Sequence, residues 1–131
     1  MASEALQEFQ RRLWRAWDAS DLDGVAECVA EDFHGTFAGP DGSPLLEADR
    51  LGLLELLRSS FAQTRGQQVR WTRGECGILQ RGPRDAAAMM RVACSFPEHP
   101  HWDNEEVTVE AYRCGEDGRW LLVRAHSERL R

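Results

Sequence analysis

Residues 105–129 read EEVTVEAYRCGEDGRWLLVRAHSER. Two segments, Glu105 to Cys114 and Trp120 to Arg129, flank Gly115 to Gly118, whose two glycines and Asp117 are turn residues. Val107-Thr108-Val109 and Leu121-Leu122-Val123 favour strand by propensity, so the stretch predicts a β-hairpin. In its second strand, alternation groups Trp120, Leu122, Arg124 and His126 on one face and Leu121, Val123, Ala125 and Ser127 on the other. A single bulge would reverse that parity.

Two further strands precede the hairpin, Val69 to Gln80 and Asp85 to Phe96, separated by Arg81-Gly82-Pro83-Arg84 and followed by a Pro97 to Asn104 loop. Ala86-Ala87-Ala88-Met89-Met90 alone favours helix, but a continuous meander requires strand there. The first half has helical spacing instead. Ser3 is an N-cap before Leu6, Phe9, Leu13, Ala16 and Trp17, which recur at three- and four-residue steps. Ser20-Asp21-Leu22-Asp23 opens a second helix as a capping-box variant, and Leu22, Val25, Val29 and Phe33 carry it to near Asp32. Phe33 to Ala38 and the turn Gly39-Pro40-Asp41-Gly42 predict a small hairpin. A third helix spans Glu47 to Ala62, with Leu53, Leu54, Leu57 and Phe61 on a face that Leu51 and Leu56 widen, and Gly66 closes it. That width predicts a deeply buried helix. Three helices before a four-stranded meander predict an α+β fold, with the helices packed on one face of a curved antiparallel sheet around a conical space.

The length of 131 residues fits a single domain, 1–131, large enough to bury a core without metal or disulfide. A net charge of −6 argues against nucleic acid as a partner. Arg11, Arg12 and Arg15 share the first helix and read as a solvated face. No apolar run reaches the roughly 18 residues of a membrane span, and the N-terminus lacks the shape of an export signal, so the expected location is cytoplasmic with no membrane partner. Cys28, Cys76, Cys94 and Cys114 are widely spaced, with no C-x-x-C pair, and read as small buried hydrophobes in a reducing compartment. All 16 basic residues are arginine. The absence of lysine excludes Schiff-base chemistry, a Walker-A phosphate loop and any lysine general base. With the high Arg, Gly and Ala content, it also points to GC-rich bacterial coding.

Ala16-Trp17 before Asp21-Leu22-Asp23, then Asp32-Phe33, Pro40-Asp41-Gly42, and the closing Asp117-Gly118-Arg119-Trp120-Leu121-Leu122-Val123 with His126 resemble the NTF2-like superfamily, especially its SnoaL-like and ketosteroid-isomerase-like bacterial members. The resemblance covers nearly the whole chain. It implies a cone-shaped pocket between sheet and helices and a homodimer. The superfamily holds isomerases, dehydratases, cyclases and epoxide hydrolases as well as pure association domains, so the shared fold does not name a reaction. The tyrosine that isomerase-type members carry on the first helix has no counterpart. Trp14 and Trp17 occupy that helix, and the only tyrosine, Tyr112, is on a predicted strand.

Candidate site residues follow from chemistry placed on strands. His126 is a general base if its face lines the pocket, and a structural or interface residue if it faces outward. Arg91 and Glu110 are charged residues within small or apolar strands. They read as a half-buried ion pair, or as an arginine orienting a carboxylate or enolate beside an acid–base carboxyl. Arg73 and Glu75 invite the same argument. Arg91, Glu110, Tyr112 or His126 would supply protons or hydrogen bonds to the ligand, and Trp17 and Trp71, among five tryptophans otherwise assigned to packing, are candidate binding residues for a flat apolar body. His99-Pro100-His101-Trp102-Asp103 is a rim loop, with no metal expected, and His34 a hydrogen-bonded structural histidine. Two functions remain open: a cofactor-free acid–base isomerase or lyase binding a small apolar or polycyclic molecule, and a non-catalytic association module with a vestigial pocket.

Overall fold

The computed structural model describes residues 2–38 and 45–130, with residues 75 and 76 described by backbone only. Helix α1 (Glu4–Asp18) starts at Ser3, whose Oγ accepts the Leu6 amide at 3.2 Å. It buries Leu6, Phe9, Leu13 and Ala16 as its spacing predicts. Ser20 takes a left-handed turn at φ 57°, and α2 (Leu22–Cys28) follows. Its cap is Asp21, which accepts from the Gly24 amide at 3.0 Å, one residue later than the sequence suggests.

Helix α2 ends at Cys28, not near Asp32. Val29 already belongs to strand β1 (Val29–Ala38), where it pairs with Leu122 of the last strand. Gly35 in β1 is required by close approach: a Cβ there would lie 2.8 Å from the Phe33 ring and 3.1 Å from that of Phe37. Strand β2 (Leu45–Asp49) pairs with β1 as the expected hairpin, while the turn expected at Gly39-Pro40-Asp41-Gly42 lies outside the described residues. β2 takes the first residues assigned to the third helix, so α3 runs Arg50–Gln63, capped by Asp49. Only Leu53 and Leu57 of α3 are buried. Leu51 and Leu56 are exposed, so the buried face of α3 is narrower than its spacing predicts, and Leu56 lies on the cavity side.

The meander forms as expected: β3 (Arg70–Arg81), β4 (Asp85–Ser95), β5 (Asn104–Cys114) and β6 (Trp120–Arg129). The alanine-rich segment of β4 is strand, its inner residues buried between neighbours on both sides. The sheet order is β2-β1-β6-β5-β4-β3. It is mixed rather than wholly antiparallel, because β1 returns beside β6 in parallel. The core lies between α1 and the sheet's inner face, where Phe9 meets Tyr112 edge-on at 5.6 Å and Leu6, Leu13, Met90 and Leu122 are buried. No helix among the described residues is long and apolar enough to cross a membrane.

Candidate active site

Between α1, α3 and the inner face of the sheet lies a cavity of about 570 Å³. Its walls are mostly apolar: Trp14 and Trp17 from α1, Phe33 from β1, Leu57 from α3, Trp71 from β3 and Met90 from β4. The His101-Trp102 segment of the loop before β5 closes one side. There Trp102 stacks on His99 at 4.3 Å and meets Phe96 edge-on, so packing braces the loop.

Two glutamates, Glu106 and Glu110, belong to the lining, and Glu110 is the buried one. Glu110 points inward from β5 and is 7% exposed. The hydroxyl of Tyr112 donates to its Oε1 at 2.5 Å, and the indole N–H of Trp14 donates to the same oxygen at 3.3 Å. Gln10 in turn donates to the Tyr112 oxygen at 3.3 Å. Burial raises the Glu110 pKa above its ordinary 4.5. The hydrogen bonds from Tyr112 and Trp14 and the positive charge of Arg73 oppose that rise without cancelling it. Both donors reach Oε1, so a proton on this carboxyl belongs on Oε2.

Arg73 supplies a cationic side to the cavity. Its side chain is 13% exposed, its NH1 donates to Asp18 Oδ2 at 2.7 Å, and its guanidinium lies over the rings of Trp14 and Trp71 at 5.4 and 5.6 Å. Thr108 and Ser127, paired across β5 and β6 at 3.1 Å, add two buried hydroxyls to the wall. Cys94 also lines the cavity, but burial pushes its thiol up to about 11, so it is not a thiolate nucleophile near neutral pH.

Three of the predicted site residues lie outside the cavity lining. His126 does not line the cavity; Ala125 and Ser127 do. Tyr112 pairs with Leu122 and Ala111 with Arg124, which leaves Val123 as the extra residue of a bulge. That one residue reverses the alternation beyond it and turns His126 to the outer face, where Nδ1 meets Thr36 Oγ1 at 2.5 Å and Nε2 faces Glu128 at 3.3 Å. Arg91 is not the partner of Glu110. It lies opposite Val107, on the outer face, and pairs with Glu105. Tyr112 is not among the lining residues, and its hydroxyl donates to Glu110.

Trp17 and Trp71 do line the cavity. Asp32, exposed on the outer edge, forms a bidentate pair with Arg113 at 2.8 and 3.0 Å. Among the described residues no group of three His, Cys, Asp or Glu side chains is arranged to hold a metal. Sequence reasoning missed Trp14 as a cavity residue that donates to Glu110. Its signal was Gln10, a polar side chain inside the apolar stripe of α1, now 2% exposed and one turn before Trp14 on the same face.

No protein-family model and no curated protein matches the chain. Solved structures do. An NTF2-like protein of unknown function from Pseudomonas putida KT2440 superposes with a TM-score of 0.77 at 13% identity, covering 94% of this chain and 82% of that one. A ketosteroid isomerase-like protein from Erwinia carotovora atroseptica gives 0.69 at 17% identity, with 97% and 95% covered. An NTF2-like protein with a cystatin-like fold from Novosphingobium aromaticivorans gives 0.70 at 18% identity, with 97% and 80% covered. The chain therefore has the NTF2-like, cystatin-like fold, as its resemblance to that superfamily implies.

Proposed function

We propose that the cavity binds a small, largely apolar molecule and that Glu110 exchanges a proton with it, as in a cofactor-free isomerase or lyase. The observation that carries this reading is a buried carboxyl, its pKa raised by desolvation, opening on an aromatic-lined cavity. A carboxyl so tuned serves acid and base chemistry near neutral pH better than an ordinary glutamate. In its neutral form, Oε2–H donates to a carbonyl or leaving-group oxygen. In its ionised form, the same oxygen takes a proton from a carbon beside a carbonyl and returns it to another position, so an isomerisation leaves the proton count unchanged. The donors Tyr112 and Trp14 fix the carboxyl's orientation through both steps.

Native mass spectrometry of gently purified protein, set against the denatured mass, tests the binding step. The expected result is a reproducible adduct of small-molecule mass, lost when Met90→Trp fills the cavity. An unadducted protein that also takes up no naphthalene-sized probe would remove the reading.

A second reading, association of two copies through the outer sheet face, has its own support. Met89 is 56% exposed and pairs in register with Val109, itself 37% exposed, beside the small residues Ala87 and Ala111 and the exposed Leu79. A sheet face of this composition is a candidate interface. It is compatible with a working cavity on the other face.

A further inference from the structure

We propose that the ligand of this cavity is a monocarboxylate whose head is anchored by Arg73, with its flat apolar body lying along the tryptophans toward Glu110. The inference rests on the reading of the cavity as a ligand site and adds the chemical class of what enters it. Arg73 is nearly buried, lines the cavity, and is held by contact with the rings of Trp14 and Trp71. A cation–π contact leaves the guanidinium's N–H groups available for hydrogen bonding. Among the described residues, only one of those groups is engaged, by Asp18.

Asp18 shows what the arginine accepts. It presents a carboxylate oxygen at 2.7 Å in a single hydrogen bond, from an end-of-helix position where its side chain is 34% exposed. An incoming carboxylate can make the two parallel hydrogen bonds that Asp18 does not, and Asp18 has solvent to return to. The flat head also suits a guanidinium plane bordered by two indoles, and an aromatic body would continue onto Trp17. A single negative charge matches Arg73, while Arg129, the other arginine of the lining, stands opposite Glu106 across β5 and β6. A phosphate dianion would bring a second charge close to Glu106 and Glu110, which share the cavity lining. Burial favours the neutral form of Glu110, so that carboxyl does not repel the anion as an ionised one would.

The test is calorimetric titration of the intact protein with 2-naphthoate and with its neutral isostere 2-naphthamide. The expected result is naphthoate binding at least tenfold tighter than the amide, a preference that Arg73→Gln abolishes. Because Arg73→Gln removes a buried packing partner and can fail to fold, Asp18→Asn is measured beside it. Freeing the arginine from its internal carboxylate is expected to tighten naphthoate several-fold and leave the amide unchanged. Equal binding of the two probes, or a preference that survives Arg73→Gln, overturns the carboxylate anchor while the cavity reading stands. An Asp18→Asn variant that binds naphthoate no more tightly also overturns it. Failure of both probes to bind overturns the anchor and the cavity reading together.

Discussion

Tyr112 donates its hydroxyl hydrogen to Oε1 of Glu110 at 2.5 Å from two positions along the same strand, inside a wall that water barely reaches. Alternation puts residues i and i+2 on one face, so the strand itself brings the pair together. The helix opposite adds Gln10 behind the tyrosine and Trp14 beside it. The result is a carboxyl that is hydrogen-bonded yet still pushed above its ordinary pKa by burial.

Glu110 should make stability fall with rising pH. Below 4.5, its ordinary value, the carboxyl is neutral in the folded and unfolded chain alike. Above it the unfolded chain releases the proton while the folded chain keeps it, so this contribution is lost until the folded carboxyl ionises as well. Glu110→Gln lacks that dependence. Urea unfolding at a series of pH values should show the variant gaining on the wild type by about 1.4 kcal/mol for each pH unit inside the window. A difference that stays flat from mildly acidic to neutral pH would contradict a buried neutral carboxyl.

Trp14→Phe keeps an aromatic wall and removes one donor to Glu110. Since that hydrogen bond lowers the carboxyl's pKa, its loss should raise the pKa further and extend the same window upward. The expected stability cost is about 1 kcal/mol. Carboxyl-carbon NMR titration of wild type and variant reads the shift directly, and a downward move would refute the assignment of Trp14 as donor.

His126→Ala should leave cavity-probe affinity within twofold of wild type, because the Val123 bulge has turned His126 to the other face. Deleting Val123 should do the opposite kind of damage. Restoring strict alternation either swaps the inward and outward residues beyond Leu122 or forces the strand out of register, and a loss of several kcal/mol is expected. A His126→Ala variant that stops binding the probe while remaining folded would mean that the bulge is elsewhere.

Met89→Glu tests the outer sheet face. Sedimentation equilibrium should find the wild type as a dimer and the variant as a monomer, with probe binding in the cavity retained. A wild type that is monomeric at micromolar concentration removes the association reading.

Leu13→Ala should cost about 2–5 kcal/mol, since Leu13 is fully buried where α1 packs on the sheet. Thermal unfolding measures it. A change under 1 kcal/mol would mean that α1 is not seated as described.

The element types and their order were legible in the sequence because their signals are local. Helical spacing from Leu6 to Trp17, turn residues at Gly115 to Gly118 and strand propensity around Val107 and Leu121 need no knowledge of the rest of the chain. Those same signals misjudged where α2 stops. Val29 and Phe33 keep helical spacing, yet β6 pairs with Val29 and with His34 onward, a partner that spacing cannot reveal. Which side chains share the cavity is a different kind of fact. It depends on register between strands and on one unpaired residue, Val123, that sets the parity of everything after it. Register between β4 and β5 sets Arg91 opposite Val107 and Glu110 opposite Ala88, packing of α1 brings Trp14 to Glu110, and the bulge takes His126 off the face that Glu110 keeps. Periodicity fixes which residues of one strand alternate, but only pairing across the sheet decides which face is inward.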